Sequence, residues 1–419
     1  MPIENYSFLH AADLHIDSPL RGLERYEEAP VEAIRGATRR AFENLVAKAI
    51  ELEVAFVVLA GDIFDGDWKD HGTGLWFAQR LRELSQAGIS VYLAAGNHDA
   101  QGKTAAALVY PEGVYRFSKT KPQTFRDPAT GTALHGQSFA TAAITENLAA
   151  SYPKAIAGAL NIGVLHTALN GREGHDPYAP CSPDELRSHG YDYWALGHVH
   201  QREIVAEDPW IVFPGNLQAR HIRETGAKGA TLVGVADGRI RSVEHLSFDV
   251  LRFVRLKVDV EGCGSRAACL DQVAAALSLA REEAEDRLLA ARVTLVGRTE
   301  ASDELYREHD DFLLSCRDWA NGVGDIWIEK LEQRTHAPSS ANEADMIEVL
   351  DLNSPDLRAE VLASLQKDLE NLRTKMPPGL GVSAGLADLA DPEVLERILD
   401  EARDEVIRRL LDADRKPSL

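Results

Sequence analysis

The chain has 419 residues, of which 45% are hydrophobic and 26% charged, and its formal net charge is −21. This length predicts two or three domains, each with its own core. An acidic surplus argues against non-specific binding of nucleic acid by the chain alone, because such binding needs a basic face. Residues 1–250 carry 23 basic and 31 acidic side chains, and residues 251–419 carry 22 and 35, so most of the surplus falls in the second part.

The sequence gives no sign of a segment that targets or anchors the chain. Its first residues lack a basic head followed by an apolar stretch, and no apolar run approaches the roughly 20 residues that span a bilayer. The four cysteines are scattered and match no zinc or redox motif. Reduced, scattered thiols are typical of cytosolic proteins. We therefore expect a cytoplasmic protein without a membrane segment.

Apolar runs alternate with helical stretches up to residue 250. Helical spacing of apolar residues covers Ala33–Leu52 and Leu75–Gln86, which predicts a layered α/β architecture. Shorter apolar segments follow at Trp210–Phe213 and Ala230–Val235. They are separated by turn residues, a pattern that favours antiparallel pairing at this end.

From about Arg252 the pattern changes to alternating strands and helices. The predicted elements are a strand, a helix, a strand, a helix and a strand, at Arg252–Val260, Ala267–Glu285, Leu288–Val296, Asp303–Trp319 and Asp325–Leu331. A linker is predicted at 336–342, followed by amphipathic helices at Pro355–Lys375 and Pro392–Leu411. We therefore divide the chain into residues 1–250, a small α+β domain at 251–335, and a linker with C-terminal helices at 336–419.

Five apolar runs in the first part each end in Asp, Asn or His. The five clusters are Asp13-Leu14-His15, Gly61–Asp65, Gly96–Asp99, His166 and Gly197–His200. Continuous apolar runs are typical of strands buried on both faces, and ligands gather at the carboxyl ends of such strands. We therefore expect at least eight metal-type side chains to meet on one rim of one sheet.

The chemistry of these side chains favours a double metal site. Asp62 follows an apolar strand, and a buried carboxylate without a partner is costly, whereas one shared between two cations is not. Oxygen and nitrogen ligands without thiolate suit Mn²⁺, Fe²⁺, Zn²⁺ or Mg²⁺. Two ions roughly 3.5–4 Å apart clamp a phosphoryl group and supply a hydroxide near neutral pH. For any single cluster, turn and capping chemistry is the competing interpretation.

The five clusters, in this order, resemble the five motifs of the calcineurin-like metallophosphoesterases. Within that superfamily the chain resembles the SbcD nuclease-subunit family, and more narrowly its YhaO-like branch, on Ala12–Leu20, Gly66–Asp70 and Pro214–Glu224. The resemblance is specific over roughly residues 6–250 and architectural beyond them. One departure is Asp65, because a His often stands at this position in the better-known nuclease subunits.

The resemblance implies a four-layer α-β-β-α sandwich with a small α+β capping domain. It also implies two sets of metal ligands that share a bridging Asp62. One set is Asp13, His15, Asp62 and His200, and the other is Asp62, Asn97, His166 and His198. His98 would stabilise the transition state and protonate the leaving oxygen, and Asp99 would orient its imidazole. Beyond the turn at 214–216, substrate phosphates would be touched by Arg220, His221 and Arg223, for which ordinary salt bridges are the competing interpretation.

The resemblance further implies two divalent ions, Mn²⁺ first, with Fe, Zn or Mg as alternatives. The expected reaction is hydrolysis of DNA in repair, by 3′-to-5′ exonuclease and single-strand endonuclease action, with in-line attack of a hydroxide held between the ions. The expected partners are DNA and an SbcC-like coiled-coil ATPase docked on the C-terminal helices, and a homodimer is left open. No P-loop motif is present. The alternatives are a phosphodiesterase or phosphatase for a small molecule or phosphoprotein, and a scaffold without catalysis.

Overall fold

A computed structural model describes residues 3–18, 36–66, 72–102, 108–169, 178–338 and 354–375. Beyond these ranges it describes four residues, all helical, within the second predicted C-terminal helix: Leu395, Leu399, Ala402 and Val406. The rest of that helix, and the predicted linker from residue 339 onward, lie outside the described residues.

The described strands, in chain order, are β1 (Tyr6–Ala11), β2 (Phe56–Ala60), β3 (Ser90–Ala94), β4 (Val114–Arg116), β5 (Gln123–Arg126), β6 (Ala133–Gly136), β7 (Asn161–His166), β8 (Tyr193–Gly197), β9 (Glu203–Glu207), β10 (Trp210–Phe213), β11 (Gly229–Ala236), β12 (Arg239–Ser247), β13 (Leu251–Asp259), β14 (Leu288–Arg298) and β15 (Ile326–His336). The described helices are α1 (Ala37–Glu51), α2 (Gly72–Gln86), α3 (Asn97–Gln101), α4 (Pro183–Arg187), α5 (Arg266–Glu283), α6 (Ser302–Arg307), α7 (His309–Val323) and α8 (Pro355–Lys375).

Two six-stranded sheets form the first part of the chain. Their strand orders are β12-β11-β1-β2-β3-β4 and β5-β6-β7-β8-β10-β9. The strands from β1 to β4 run parallel, and so do β6, β7, β8 and β10. The antiparallel pairing predicted near the end of this part is confirmed for β11, which pairs so with β1 and β12. By contrast, β10 is antiparallel to β9 but parallel to β8.

Side chains of the central strands alternate between two cores. On β1, Phe8 enters the core that also holds Ile162 and Tyr193 of the second sheet, whereas Leu9 enters the core beneath α1 and α2. Phe8 stacks on Phe56 of β2, with ring centroids 4.8 Å apart. On the far face of the second sheet, Trp194 lies in a third buried cluster. The predicted four-layer α-β-β-α arrangement is thereby confirmed, because each sheet has one face on the other and one face under helices or loops.

The two helices on the first sheet form where apolar residues recur at helical spacing. In α1 the buried positions include Ala41, Phe42, Leu45 and Ala49, which lie on one face of the helix. Phe42 contacts Phe77 of α2, with ring centroids 5.1 Å apart. Both predicted helices are confirmed, with starts shifted from those expected and with residues 33–35 outside the described part.

The predicted strand–helix order from Arg252 is present, with one difference. The three strands form a sheet of order β13-β14-β15, and two helices, α6 and α7, stand where one was predicted. By contacts, the chain divides into a unit of residues 1–256, 274–293 and 315–331 and a unit of residues 257–273, 294–314 and 332–419. The expected domain limits at 250 and 335 stay a prediction. Among the described helices, none combines the length and apolarity needed to cross a membrane.

Gly163 of β7 packs closely against Trp194 of β8, and this contact gives a prediction about the stability of the second sheet. A Cβ on Gly163 would lie 2.4 Å from Cε3 of Trp194, a fully buried side chain whose Nε1 donates to the Leu186 carbonyl at 3.1 Å. Gly163→Ala should lower the free energy of unfolding by about 1–3 kcal/mol, because the indole cannot yield without losing its own contacts. Urea unfolding followed by tryptophan fluorescence measures it. Gly322→Ala, where a Cβ meets nothing within 4 Å, is the matched control and should not destabilise the protein.

Candidate dinuclear metal centre

Metal-type side chains from both sheets meet at the carboxyl ends of their parallel strands. In each of three groups, the donor atoms lie within 4.8 Å of one another, and one of these groups, His15, Asp65 and His98, comes from the first sheet alone. The other two are Asp13, His15 and His200, and Asp62, His166 and His198. Each of these two ligand groups combines residues that follow β1 or β2 with residues that follow or end β7 or β8. The expectation of a single sheet was therefore wrong, because the site lies where two facing sheets end together.

The backbone after β1 and β2 is tied into one unit. The amides of Asp13 and His15 donate to the carbonyls of Gly61 and Asp62, each at 3.0 Å. Asp13, His15 and Asp62 have positive φ angles of 52°, 43° and 51°. Residues other than glycine rarely adopt this region, and such strain persists only where the surroundings fix it. Three ligand-type residues at this rim thus share a strained backbone conformation.

Two glycines allow the elements of the site to approach. A Cβ on Gly96 would lie 2.3 Å from Oδ1 of Asp62, and one on Gly197 would lie 2.0 Å from the Ala60 carbonyl oxygen. At both positions the site therefore requires a residue without a side chain.

In the first group, a buried carboxylate faces two imidazoles. Asp13 is fully buried, and its carboxylate accepts a hydrogen bond from the His198 amide at 2.9 Å. Burial raises the pKa of Asp13, an effect that the nearby His200 opposes. His15 Nε2 lies 3.2 Å from His200 Nε2. Burial, and then Arg220, lower the pKa of His15 to about 3, so its ring is neutral and can present a lone pair.

In the second group, the backbone fixes the orientation of His166. Its Nδ1 lies 3.0 Å from the Ala60 carbonyl oxygen, which only accepts, so Nδ1 carries the proton. Its Nε2 points at the side-chain oxygen of Asn97, 2.9 Å away, and at Oδ2 of Asp62, 3.4 Å away. Burial acts against the charged ring, but Asp62 outweighs it and raises the pKa of His166 to about 9. In the metal-free protein, the oxygens of Asn97 and Asp62 therefore stabilise the protonated form of the His166 ring.

Asp62 contacts both groups. Its Oδ2 lies 3.8 Å from His15 Nε2 and 3.4 Å from His166 Nε2, while Oδ1 accepts from the His98 amide at 3.0 Å. Although burial opposes ionisation, His166 holds the pKa of Asp62 below its ordinary value. This position suits a bridging ligand, and the bridging role stays a prediction.

The His98 ring contacts a different carboxylate from the one expected. Its Nδ1 lies 2.7 Å from Oδ1 of Asp65, and this hydrogen bond raises the pKa of His98. Asp99 instead accepts hydrogen bonds from the amides of Ile63, Phe64 and Gly96. The expectation that Asp99 orients the His98 imidazole is therefore corrected: Asp65 makes that contact, and Asp99 holds the loops after β2 and β3. Burial, followed by the charge of Asp62, raises the pKa of Asp99 to about 6.

Of the three residues predicted to touch substrate, Arg220 lies nearest the site. Its guanidinium is 3.8 Å from Oδ2 of Asp65 and 3.4 Å from the Ser18 hydroxyl. His221 lies 3.5 Å from Oε1 of Glu224, and Arg223 is exposed. Their contact with substrate stays a prediction.

The donor set fits two divalent cations. The chemistry is that of carboxylate, amide and imidazole without thiolate, which suits Mn²⁺, Fe²⁺, Zn²⁺ or Mg²⁺. Partners behind the rings hold the protons of two histidines on Nδ1: the Ala60 carbonyl for His166 and Glu224 for His200, 2.6 Å away. Both Nε2 atoms are thus left to face the carboxylates, the usual arrangement of a metal-ligating histidine.

A four-layer α-β-β-α fold with two such ligand groups at its strand ends defines the class of two-metal phosphoester hydrolases. A family model described as calcineurin-like phosphoesterase matches residues 6–202, and one described as metallophosphoesterase YhaO, middle domain, matches residues 253–336. The uncharacterized metallophosphoesterase YhaO of Bacillus subtilis is 37% identical over 285 residues, which cover 67% of this chain and 70% of that protein. The chain belongs to the calcineurin-like metallophosphoesterase family.

More distant relatives are DNA double-strand break repair proteins named Mre11. The protein of Methanopyrus kandleri is 28% identical over 234 residues, covering 49% of this chain and 48% of that protein. The protein of Sulfurisphaera tokodaii is 25% identical over 257 residues, covering 58% and 62%. This chain therefore spans less than two thirds of either Mre11. A solved dimetal phosphatase from Danio rerio matches with a TM-score of 0.32 and 13% identity, covering 57% of this chain and 99% of that one.

Two residues with contacts to the site had no role in the sequence-based prediction. Asp65 ends the second cluster, and its spacing from Asp62 gave no indication that it would reach His98. Glu224 is the last residue of the stretch that begins at Pro214, and only its four-residue spacing from Arg220 hinted at a contact.

The Asp65–His98 contact gives a prediction about proton affinity. Asp65→Asn should lower the pKa of His98, because the hydrogen bond from the ring to a carboxylate raises it in the wild-type protein. The stabilisation that this pair gives the fold is complete below the unfolded pKa of about 6.5 and is lost as the pH rises through the raised value. Histidine-selective NMR titration of the metal-free protein measures the shift, with His98→Ala assigning the signal.

Ser18→Ala is the matched control for this titration. The Ser18 hydroxyl donates to Oδ2 of Asp65 at 2.8 Å, but it does not touch His98, so the raised pKa should persist in this variant. An unchanged His98 titration in Asp65→Asn would show that Asp65 does not cause the shift.

Proposed function

We propose that the chain is a Mn²⁺-dependent phosphodiesterase that hydrolyses DNA in repair, as a 3′-to-5′ exonuclease with single-strand endonuclease action. The observation that supports it is the pair of ligand groups, one with Asp13 and one with Asp62, beside His98, whose amide donates to Asp62. The names of the Mre11 relatives support DNA as substrate. Mn²⁺ suits the mixed oxygen and nitrogen donors.

In this proposal seven side chains hold the two cations: Asp13, His15 and His200 on one side, Asn97, His166 and His198 on the other, and Asp62 between them. The bound pair supplies Lewis-acid activation of water and of the phosphoryl group. His98 protonates the leaving oxygen, since its side chain is 36% exposed and Asp65 keeps its proton affinity high.

Arg220 would place the substrate. Its guanidinium is half-buried beside Asp65, so a phosphodiester at the rim would meet a fixed cation with several donors. His221 and Arg223 would extend this surface along the strand of DNA.

To bind DNA, this acidic chain needs basic side chains close to the site or basic side chains of a partner protein. With a net charge of −21, the whole surface cannot attract the polyanion, so we propose that a partner supplies part of the binding. An SbcC-like coiled-coil ATPase fits this role. Helix α8, with the second helix predicted at Pro392–Leu411, is the proposed docking segment, and the proposal leaves a homodimer to be tested.

A second candidate is a phosphodiesterase or phosphatase acting on a small molecule or phosphoprotein. The strong acidic surplus favours it, because a small substrate needs no extended basic face. A carboxylate at position 65 also favours it, since a His often stands there in the better-known nuclease subunits.

An assay on two substrates separates the candidates. With Mn²⁺, the protein should shorten linear duplex DNA from its 3′ ends and should also cleave bis-p-nitrophenyl phosphate, and EDTA should abolish both activities. Gel analysis of 5′-labelled DNA measures the first activity and absorbance the second. Ester turnover beside intact DNA would contradict the nuclease proposal and support the small-substrate candidate.

Removal of the acid group tests the proposed role of His98. His98→Ala should lower kcat on DNA by about 10²- to 10⁴-fold, the usual contribution of a general acid. Elemental analysis should still find two manganese ions per chain, because the ring is not a proposed ligand. His309→Ala, at the start of α7, is the control and should keep full activity. Undiminished hydrolysis by His98→Ala would exclude the assigned role.

A further inference from the structure

A single carboxylate, that of Glu224, lies behind the first ligand group. Its side chain is 8% exposed. It accepts hydrogen bonds from His200 Nδ1 at 2.6 Å, Asn216 Nδ2 at 2.9 Å and the Arg220 amide at 2.6 Å. Two donors from the 214–224 loop and one from the residues after β8 thus meet on one buried acid, and none of them is an ordinary surface salt bridge.

The contact with His200 decides where that ring points. A carboxylate only accepts, so the short hydrogen bond places the proton on Nδ1 and leaves the lone pair on Nε2. That Nε2 atom lies 3.2 Å from His15 Nε2 and 3.9 Å from Oδ1 of Asp13. On the other side of the residue, Lys228 Nζ donates to the His200 carbonyl at 3.0 Å, so backbone and ring are both fixed.

His166 and His200, one from each ligand group, differ in what stands behind their rings. His166 donates to a neutral backbone carbonyl, that of Ala60, whereas His200 donates to a carboxylate. A carboxylate makes the imidazole a better donor of its lone pair than a carbonyl does. Replacing Glu224 should therefore weaken the Asp13 side of the site, to which His200 belongs, and leave the contacts of His166 on the other side unchanged.

We propose that Glu224 is a positioning residue: it fixes His200 as a metal ligand and so sets the cation affinity of the group formed by Asp13, His15 and His200. This inference rests on the two-cation arrangement in the proposed function. The Glu224 carboxylate also accepts hydrogen bonds from Asn216 and the Arg220 amide. It therefore connects His200 to the loop that carries Arg220, the proposed phosphate contact.

Calorimetric titration of the metal-free full-length chain with Mn²⁺ tests this without any substrate. The wild-type protein should bind two ions. Glu224→Gln should weaken one of them by about 10- to 100-fold and leave the other unchanged, because the hydrogen bond from the His200 ring loses its charged acceptor. Glu207→Gln, at an exposed position at the end of β9, is the matched control and should bind both ions as the wild type does.

A double-mutant cycle separates positioning from a general structural role. If Glu224 acts through His200, adding Glu224→Gln to His200→Ala should weaken Mn²⁺ binding no further than His200→Ala does alone. Additive losses would mean that Glu224 acts elsewhere and would overturn the inference. Glu224→Asp keeps the charge but shortens its reach, so it should weaken the same ion, which covers the case in which Glu224→Gln does not fold.

The other possible results of the titration distinguish a failure of this inference from a failure of the proposed metal centre. Two unchanged ions in Glu224→Gln would overturn the positioning role while leaving the metal centre intact. Fewer than two ions in the wild-type protein would overturn the metal centre itself and the inference with it.

Discussion

Negative charge held away from water is the constraint on which the rest of the site depends. Asp13 and Asp62 are almost completely buried, at 0% and 2% exposure. Isolated buried carboxylates are too costly for a fold to keep, so positive charge must stand beside them. In the metal-free protein a proton on His166 partly meets this demand, and divalent cations would meet it fully.

Backbone contacts hold part of this arrangement in place. The loops after β1 and β2 are joined amide to carbonyl, and the ring of His166 is held by a main-chain oxygen. Left-handed residues cost about 1–3 kcal/mol each, so their clustering at Asp13, His15 and Asp62 implies that the packed strands beneath compensate for the strain. A rigid base of this kind suits a centre whose ligands must not rearrange.

The sequence was sufficient to predict the strand ends and the type of chemistry that gathers there. It could not show that the clusters belong to two sheets. The sequence indicates where each strand ends, but it does not show which strands lie beside one another in a sheet. Adjacency along the chain also misled: His98 and Asp99 are consecutive, but successive side chains of a helical turn point apart. The His98 ring therefore contacts Asp65, whereas the Asp99 carboxylate accepts hydrogen bonds from backbone amides. Glu224 was missed because its partner His200 is 24 positions away.

Gly197 has a consequence for the size of the site. Because position 197 bears no side chain, β8 approaches the Ala60 carbonyl of β2 closely. Asp62 follows β2, His166 ends β7, which is the neighbour of β8, and the side chains of these two residues lie 3.4 Å apart. A methyl group at this point would act as a wedge. It would push the two sheets apart beside the ligand groups without altering a single donor side chain, so the spacing of the donors depends partly on a residue that is not one of them.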